Sequence, residues 1–533
     1  MSYKAVWAED HSKLNNVELI KLKKDGLDII TTITEKYAEE GYEAVSEEDR
    51  VLLKWAGIYE QKPRNGHFMM RVRINSGIMD TKQAHVIADV SHKYGRDIVK
   101  ITTRGSIQFY WITLEHLPHI FKAFADVGLS TFESCGDCPR RIIGNPLAGI
   151  DRNELIDTTE LVKQLNDFFL LNRDYSNLPR KYKISISSSI FNPAHKEIND
   201  LSFTPATKIL DGKEVTGFNV WVGGGLSTKP YMARQLDIFA RPQDVLKIAT
   251  GVATIFRDYG YRENRQHARL KFLVEDWGIE KFKNELLSLT GTLPDQGEEK
   301  ISRWNGSFFY GIHPQKQEGK VYLGLHVPTG FMDSESLKKL ALLSDQYGDG
   351  KLRTTMSQNI ILSGVDSSYV HNLLEDSVFQ KFPAESGSFM QHMVACTGSE
   401  YCNLALVDTR ERAKDIAQFL DEHFKDLYIR INLVGCPNSC GHTQIADIGL
   451  RGCLIKKDSC QVEAFDIFLG GALGPLATFG QKLQGRIAAD SLNAVLLSFI
   501  VFFKDRRKSN ESFHQFVARM GISHFQDIFN KYQ

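Results

Sequence analysis

Four cysteines in two close pairs are the residues of this sequence best suited to chemistry. Cys396 and Cys402 form a C-x5-C pair, and Cys436 and Cys440 form a C-x3-C pair. Two loops that each supply two thiolates can together surround a four-iron cubane. The Pro-Asn-Ser tripeptide inside the second pair can turn tightly, with its N–H groups directed towards sulfur. We therefore interpret the four cysteines as ligands of an iron–sulfur cluster.

Two other interpretations of the cysteines stay open on spacing alone. Zinc ribbons also use paired cysteines, although they favour C-x2-C spacing. Buried thiols without any metal are common in intracellular proteins. The remainder of the sequence has to distinguish a redox centre from these two alternatives.

Composition describes a globular chain of more than one domain. The 533 residues exceed what one core usually supports, so two or three domains are expected. Hydrophobic residues make up 42% and charged residues 24% of the chain, as in ordinary globular proteins. Lys+Arg and Asp+Glu both number 65, so no global field favours nucleic acid. We predict no nucleic-acid partner, and any anion site must be local.

Cysteine content and the chain termini predict a cytoplasmic protein without a membrane span. Eight cysteines are too sparse for a disulfide scaffold, and the start, MSYKAVWAEDH, is charged where a secretory signal is apolar. The apolar run AVLLSFIVFF (494–503) is about half of a membrane span and is followed by KDRRK. We predict that this run is a buried helix.

The sequence repeats itself at long range. INSGIMDTK (74–82) matches VPTGFMDSE (327–335), an offset of 327 − 74 = 253 residues, and VWVGGGL (220–226) matches IFLGGAL (467–473). Each copy reads as a strand, a turn at Gly77 or Gly330, an amphipathic helix and a second strand. We predict an α+β fold with internal pseudo-twofold symmetry. A chain with its own symmetry is also expected to be a monomer.

Basic residues accumulate in the first copy. In LPRKYKISIS (178–187) the alternation is strand-like and places Lys181 and Lys183 on one face. Two adjacent like charges are unfavourable unless an anion lies between them, although an edge strand protected by lysines is an equally good explanation. The other basic residues in predicted strands and turns of this copy are Arg71, Arg104, Arg140, Arg141 and Arg180.

These motifs together resemble those of the sirohaem and 4Fe-4S assimilatory sulfite and nitrite reductases. The resemblance runs from about residue 59 to 474 and includes the two cysteine pairs, the duplicated halves, NPLAGI (145–150) and VGGGL (222–226). It implies ferredoxin-like half-domains paired into one domain, plus two related domains that hold sirohaem and cluster. The division we expect is an N-terminal helical segment (1–60), half-domain 1 (61–128), a sirohaem-binding domain (129–300), half-domain 2 (301–385) and a 4Fe-4S/sirohaem domain (386–533).

The resemblance also implies roles for individual residues. Cys396, Cys402, Cys436 and Cys440 would ligate the cluster, and Cys440 would also bridge to the sirohaem iron. The positions for anion-binding and catalytic cations are Arg71, Arg140, Lys181 and Lys183. Arg104, with Gln108, would hold sirohaem carboxylates. In some sulfite reductases of this type a tyrosine and a cysteine are covalently joined, and Tyr59 and Cys135 occupy the corresponding positions.

The substrate expected from the resemblance is sulfite. The segment after Pro-Arg is typically Lys-x-Lys in sulfite reductases and Lys-x-Asn in nitrite reductases, and here it is Lys181-Tyr182-Lys183. We predict a six-electron reduction of sulfite to sulfide, with ferredoxin-dependent reduction of nitrite as the alternative. A zinc-binding protein without catalysis is the remote alternative. Gly223-Gly224-Gly225 lacks the order of a nucleotide-binding site, so electrons must come from another protein. The resemblance implies that this donor is ferredoxin.

Overall fold

The N-terminal segment consists of short helices that pack against the first half of the chain. The computed structural model describes residues 11–302, 309–457 and 460–533. Trp55 is buried and donates from Nε1 to the Ser176 carbonyl at 2.8 Å, and Lys21 donates from Nζ to the Leu178 carbonyl at 2.8 Å. The segment therefore anchors the residues that lead into Lys181. Its helices are α1 (Asn16–Lys23), α2 (Asp28–Thr32), α3 (Ala38–Glu40) and α4 (Glu47–Leu52).

The first copy of the repeat alternates strands and helices as the sequence predicts. Asp80 caps α5 by accepting from the Gln83 N–H, and the Gln83 side chain accepts from the Asp80 N–H, a capping box that fixes the start of the helix. The elements are β1 (Ile58–Glu60), β2 (Phe68–Val72), β3 (Ile78–Asp80), α5 (Thr81–Tyr94), β4 (Val99–Ile101), β5 (Ile107–Ile112) and α6 (Leu117–Ala125).

A second α+β unit follows, built on a long hairpin. Strands β7 and β8 pair antiparallel over ten residues each, from Leu201↔Val222 to Leu210↔Lys213, and β6 adds in parallel to β7. The sheet order is β10-β7-β8-β9. The elements are α7 (Thr159–Phe169), β6 (Ile184–Ile186), β7 (Leu201–Leu210), β8 (Lys213–Val222), β9 (Arg234–Ala240), α8 (Val245–Tyr259), α9 (Leu270–Thr290) and β10 (Glu298–Glu299).

The second copy of the repeat exchanges a short strand with the first. Strand β13 pairs with β4 of the first copy, and β3 pairs with β14 of the second. The resulting sheets are β1-β2-β5-β4-β13 and β11-β12-β15-β14-β3. The elements are β11 (Gly311–Pro314), β12 (Lys320–Leu325), β13 (Phe331–Met332), α10 (Ser334–Tyr347), β14 (Lys351–Thr354), β15 (Ile360–Asp366), α11 (Val370–Leu374) and α12 (Val378–Lys381).

Two glycines make the exchange possible. Gly77 and Gly330 both have φ of 80°, a left-handed conformation that favours glycine. A Cβ on Gly77 would lie 2.2 Å from the Thr354 carbonyl oxygen, and one on Gly330 would lie 2.5 Å from that of Ile101. Each glycine therefore lets one copy approach the backbone of the other.

The C-terminal unit repeats the hairpin unit. Its hairpin runs from Ile448↔Leu469 to Lys457↔Cys460, an offset of 448 − 201 = 247 residues from the first hairpin. The elements are α13 (Ser388–His392), β16 (Val394–Ala395), α14 (Arg410–His423), β17 (Ile431–Val434), β18 (Ile448–Lys457), β19 (Cys460–Leu469), β20 (Gln481–Lys482), β21 (Ile487–Ala488), α15 (Leu492–Arg506), α16 (Phe513–Met520) and α17 (Ile522–Phe529).

The α+β class and the duplication are confirmed. One large core joins the N-terminal helices to both copies of the repeat, and each hairpin unit has a core of its own. The predicted boundaries stay a prediction, and they include residues 1–10 and 303–308, which lie outside the described ranges. The charged start, MSYKAVWAED (1–10), lies outside them as well.

The apolar run near the C-terminus is a buried helix, as predicted. It lies in α15, where Val495, Leu496, Phe499, Ile500 and Phe503 are buried. Phe499 contacts Phe525 of helix α17, and Phe503 contacts Phe513 and Phe516 of helix α16. Across the described part of the chain, no helix combines the length and the apolar character needed to cross a bilayer.

Candidate active site

Parallel pairing of two strands brings the cysteine pairs together. Strands β16 and β17 are parallel neighbours, with Ala395 opposite Leu433, so their carboxyl ends lie at one edge of the sheet. Cys396 follows β16, and its N–H donates to the Leu433 carbonyl at 3.0 Å. The Gly435 N–H, just before Cys436, donates to the Cys396 sulfur at 3.2 Å.

The four thiols act on one another electrostatically. Burial, together with the thiolates of Cys440, Cys396 and Cys402, raises the pKa of Cys436 to about 11, although a backbone hydrogen bond to the Asn438 N–H lowers it. Burial likewise raises the pKa values of Cys396 and Cys402. Thiolates gathered in this way require compensating positive charge, which bound iron provides.

The arrangement differs from that around a single ion. Zinc with Zn–S bonds of about 2.3 Å draws its thiolates close together. In the described ranges, no three His, Cys, Asp or Glu side chains are arranged to hold one metal ion. A cubane separates its four thiolates further, because its own sulfides and irons lie between them. The converging loops therefore fit a cluster better than a zinc ion.

Cys440 lies beside the first half of the chain. The Thr103 hydroxyl donates to the Cys440 carbonyl at 2.8 Å, although 337 residues separate the two. Thr103 belongs to the turn after β4 that also carries Arg104. The cysteine loop and the basic residues of the first copy therefore share one site.

Arg71 and Arg140 meet at one carbonyl. Arg71 lies in β2, opposite Gln108 of β5. Arg71 NH1 donates to the Ser134 carbonyl at 3.2 Å, and Arg140 NH1 donates to the same oxygen at 2.8 Å. Arg140 also donates to the Gly136 carbonyl, with its NH2 at 2.7 Å. Backbone carbonyls therefore fix both guanidinium groups without neutralising them.

Lys181 and Lys183 flank the buried Tyr182. Strand β6 begins at Ile184, so both lysines precede the strand in which the sequence placed them. Their spacing is still strand-like, because Tyr182 forms an isolated bridge with Pro139 and accepts from the Arg140 N–H at 2.7 Å. Neither ammonium group forms a hydrogen bond or ion pair with the described residues.

We use the name cationic centre for a set of seven basic residues that act on one another electrostatically. Burial, together with the charges of Arg269, Arg180 and Arg140, lowers the pKa of Lys181 to about 7. Burial also lowers the pKa values of Lys183 and Arg104 well below their usual range. Arg180 is left out of the set because Asp137 pairs with it at 2.9 Å. The set comprises Arg71, Arg104, Arg140, Arg141, Lys181, Lys183 and Arg269.

Asp200 is the carboxylate that balances part of this charge. It accepts from Arg269 NH2 with both oxygens at 2.8 Å, and it accepts from the Lys183 N–H at 2.8 Å. Among the described residues, Asp200 is the one carboxylate that is hydrogen-bonded to a side chain of this set, so positive charge is in excess. An anionic ligand is therefore needed to stabilise the centre.

Several buried guanidinium nitrogens also lack partners. Nε of Arg71, and Nε and NH2 of Arg141, are buried and have no hydrogen-bond acceptor among the described residues. Arg104 donates to Asn199 Oδ1 and to the Arg141 carbonyl, both at 2.8 Å, and Gln108 Nε2 contacts Met69 Sδ at 3.2 Å. Carboxylates are strong acceptors for such donors. The unpartnered nitrogens thus fit the carboxylate-rich sirohaem that the sequence implies.

Sequence reasoning missed Asp200 and Arg269 as parts of the site and left Arg141 without a role. A second internal repeat in the sequence could have identified Asp200. NPAHKEIND (192–200) matches SCGHTQIAD (439–447), with 447 − 200 = 247, the offset of the two hairpins. The match aligns Asp200 with Asp447, which accepts from the Arg430 N–H at 3.0 Å as Asp200 does from Lys183.

The same offset identifies a second cavity as the symmetry counterpart of the cationic centre. This cavity has a volume of about 30 Å³ and is lined by Tyr428 and Arg430, the equivalents of Lys181 and Lys183. Arg430 pairs with Asp447 at 3.0 Å, and the equivalent of Cys440 is Pro193. The second copy of the cavity thus has neither the excess charge nor the thiol.

Tyr59 lies close to Cys135. Burial and the neighbouring Cys135 raise the pKa of Tyr59 to about 12, although Arg140 and Arg71 act in the opposite direction. The two residues are therefore in the same region as the cationic centre. Whether a covalent bond joins them stays a prediction.

Comparison with known proteins gives the same family along almost the whole chain. A family model for the nitrite and sulphite reductase 4Fe-4S domain matches residues 135–292 and 386–533. A model for the nitrite/sulfite reductase ferredoxin-like half domain matches residues 59–127 and 313–377. Each model matches twice, in agreement with the internal duplication.

Individual relatives include reductases of both anions. The chain is 40% identical to a ferredoxin–nitrite reductase of Synechococcus elongatus, covering 92% of this chain and 96% of the relative. It is 32% identical to a ferredoxin sulfite reductase of Mycobacterium tuberculosis, covering 96% of both. The solved structure of the NirA protein of M. tuberculosis superimposes with a TM-score of 0.91 over 97% of this chain and 99% of that one, at 32% identity. This chain is therefore a member of the nitrite and sulfite reductase family.

Proposed function

We propose that this protein reduces sulfite to sulfide with electrons from ferredoxin. The observation that carries the proposal is the pair Lys181 and Lys183, two ammonium groups at one site. Neither side chain has a carboxylate partner in the part of the chain that the structure describes. At neutral pH sulfite is present partly as a dianion, whereas nitrite is only a monoanion. A second cation at ~4 Å in an effective dielectric of ~20 contributes about 4 kcal/mol before desolvation. A charge difference of this size favours the dianion.

Family membership gives the chain two cofactors, a sirohaem and a 4Fe-4S cluster. Cys396, Cys402, Cys436 and Cys440 would hold the cluster. The donors for the sirohaem carboxylates would be Arg104, Gln108 and the unpartnered nitrogens of Arg141. When bound, the two groups supply electron storage and an iron to which the substrate anion can bind.

The residues of the cationic centre would bind and orient the anion. Arg71 and Arg140 are held by the Ser134 carbonyl, so their charges are fixed before substrate arrives. Burial lowers the pKa of Arg140, but Tyr59, Cys135, Cys138 and Asp137 together raise it by more, so its charge persists. Such preorganised cations stabilise negative charge on oxygen without reorganisation during the reaction.

The lysines would supply protons. Reduction of the sulfite dianion to hydrosulfide and three waters consumes six electrons and seven protons, so oxygen must be protonated as each S–O bond breaks. Lys181, with a pKa of about 7, can release a proton near neutral pH. Lys183 interacts with Lys181 and has a pKa lowered well below the usual range by burial and by Arg104. Either lysine can therefore act as a general acid.

Nitrite is the second candidate substrate. It is favoured by the identity of 40% to the Synechococcus nitrite reductase, which exceeds the 32% to the mycobacterial sulfite reductase. Reduction of nitrite to ammonium and two waters needs the same six electrons and eight protons. The cationic centre would bind either anion, and the second lysine is the feature that favours sulfite.

The proposal extends to the electron donor and the oligomeric state. Ferredoxin is the proposed donor because the relatives of both kinds carry ferredoxin in their names. A monomer is proposed because the duplicated halves already pair within one chain. A cytoplasmic location stays a prediction from the sequence.

Steady-state kinetics on both anions tests the proposal. Purified holoenzyme and reduced ferredoxin would be assayed with sulfite and with nitrite, and kcat/KM would be compared. We expect a larger kcat/KM for sulfite, with sulfide as the product. Rapid nitrite turnover with no sulfide formed from sulfite would overturn the proposal in favour of the second candidate.

A further inference from the structure

Lys100 is a buried cation that has no part in the chemistry above. It lies in the centre of β4, is 2% exposed, and pairs with Phe331 of the exchanged strand β13. Its Nζ lies 4.2 Å from the centroid of the Phe331 ring and donates to the Thr329 carbonyl at 3.4 Å. Across the described ranges no carboxylate forms an ion pair with it. A buried ammonium group is unfavourable unless an anion lies nearby.

Two hydrogen-bonded connections place β4 between the cysteine loops. Gln358 donates to the Ile101 carbonyl at 3.4 Å and accepts from the Ala395 N–H at 3.0 Å, which joins the neighbour of Lys100 to the neighbour of Cys396. At the end of the same strand, the Thr103 hydroxyl donates to the Cys440 carbonyl at 2.8 Å. Lys100 is thus positioned beside both predicted ligand loops.

The electrostatic environment agrees with this placement. Burial lowers the pKa of Lys100 to about 7, and Cys396 and then Cys440 are the anionic groups that oppose this change most. Arg410 also approaches the Phe331 ring, at 4.8 Å from its centroid, but it pairs with Glu400 at 3.1 Å and Glu411 at 2.8 Å. Of these two cations, Lys100 is therefore the one without a balancing carboxylate.

We propose that the positive charge of Lys100 raises the reduction potential of the 4Fe-4S cluster. This inference rests on the proposed ligation by the four cysteines. Each electron added to a cluster increases its negative charge, so a nearby buried cation stabilises the reduced state more than the oxidised state. Low dielectric around Lys100 strengthens the effect, since water does not screen the charge. Lys100 would act on the cluster through its charge, so it is not assigned a catalytic role.

The test is an EPR-monitored redox titration of the purified holoenzyme and three variants. Lys100→Met removes the charge and keeps the length of the side chain, and Lys100→Arg keeps the charge. We expect Lys100→Met to lower the cluster potential by at least 59 mV, which is tenfold in a one-electron equilibrium. Lys100→Arg should keep a potential close to that of the unchanged protein. The control is Lys62→Met, because Lys62 acts on Cys402 from a partly exposed position and its loss should shift the potential less.

The outcomes separate this proposal from the one on which it rests. An intact cluster signal in Lys100→Met at an unchanged potential overturns the role of Lys100 alone. Equal shifts in Lys100→Met and Lys100→Arg overturn it as well, because they would reflect packing and not charge. If Lys100→Met does not retain the cluster, Lys100→Gln is titrated under the same criteria. Absence of a cluster signal from the unchanged holoenzyme overturns the ligand assignment itself, and with it this inference.

Discussion

The rings of His195 and His442 lie 6.0 Å apart between centroids, and the two residues are equivalent in the duplicated chain. Both have a left-handed backbone, with φ of 52° and 62°. They are related by the hairpin offset, 442 − 195 = 247, so the pair marks the position of the pseudo-twofold axis. The cationic centre lies on the His442 side, since Lys183 acts on His442 whereas its equivalent Arg430 acts on His195. Duplication has thus given one site with excess charge and one without.

Loss of one cysteine ligand is predicted to remove the cluster while an exposed cysteine is dispensable. Cys436→Ser replaces a thiolate with a poor iron ligand, and burial disfavours any anion there. Iron and acid-labile sulfide should fall to background in the purified variant. Cys460→Ser is the matched control, because Cys460 is exposed in the second hairpin. Full cluster content in Cys436→Ser would contradict the assignment.

Anion affinity is predicted to fall as pH rises through the titration of Lys181. Burial lowers its pKa to about 7, and bound anionic cofactor would raise the midpoint from that value. Below the midpoint the ammonium attracts anions, and above it the neutral amine does not. Sulfate is a suitable probe because it stays doubly charged from pH 6 to 9. The inhibition constant of sulfate against sulfite reduction should increase with pH in the unchanged enzyme. This increase should be smaller in Lys181→Met.

Asp200→Asn is predicted to destabilise the fold by about 3–5 kcal/mol, because it leaves the Arg269 guanidinium buried without its anion. Urea unfolding of the variant measures this free energy. Glu298→Gln is the control, since Glu298 pairs with Lys300 at 2.8 Å but is 75% exposed. The control should change stability by less than about 0.5 kcal/mol. Equal effects of the two variants would refute a special role of Asp200.

The strand exchange is predicted to depend on Gly77. In Gly77→Ala the new methyl group would meet the Thr354 carbonyl, and the left-handed φ adds strain. Gly128→Ala is matched in φ, at 70°, but its methyl group would meet no atom within 4 Å. We expect Gly128→Ala to cost about 1 kcal/mol and Gly77→Ala clearly more, by thermal unfolding. Similar losses in the two variants would show that the close approach tolerates a side chain.

Local sequence patterns predicted much of this architecture. The repeat at offset 253 predicted paired copies, and the apolar run at 494–503 predicted a buried helix, because both depend on periodicity within a short segment. The exchange of β3 and β13 was not predictable, since two-residue and three-residue strands carry almost no pattern of their own. Lys181 and Lys183 lie before the strand in which the sequence placed them. This difference was not predictable, because Tyr182 between them pairs with Pro139, 43 residues upstream.

The site was predictable where the chemistry required unusual residues. Paired cysteines and clustered cations are rare enough to be recognised in sequence. Asp200 and Lys100 were not found, because a single acidic or basic residue in a strand region has no distinctive spacing. Both residues are buried, and Asp200 has hydrogen-bond partners in the cationic centre whereas Lys100 has no carboxylate partner among the described residues. Only the folded chain shows these relationships.

Lys183, the second lysine of the cationic centre, is proposed to select the sulfite dianion over nitrite. Substitution of Lys183 by asparagine tests this role most directly. The measurement is the ratio of kcat/KM for sulfite to that for nitrite, with reduced ferredoxin, in the unchanged enzyme and in Lys183→Asn at equal cofactor content. Loss of one charge should lower kcat/KM for sulfite at least about tenfold, and the ratio should shift towards nitrite. An unchanged ratio in Lys183→Asn would contradict the account.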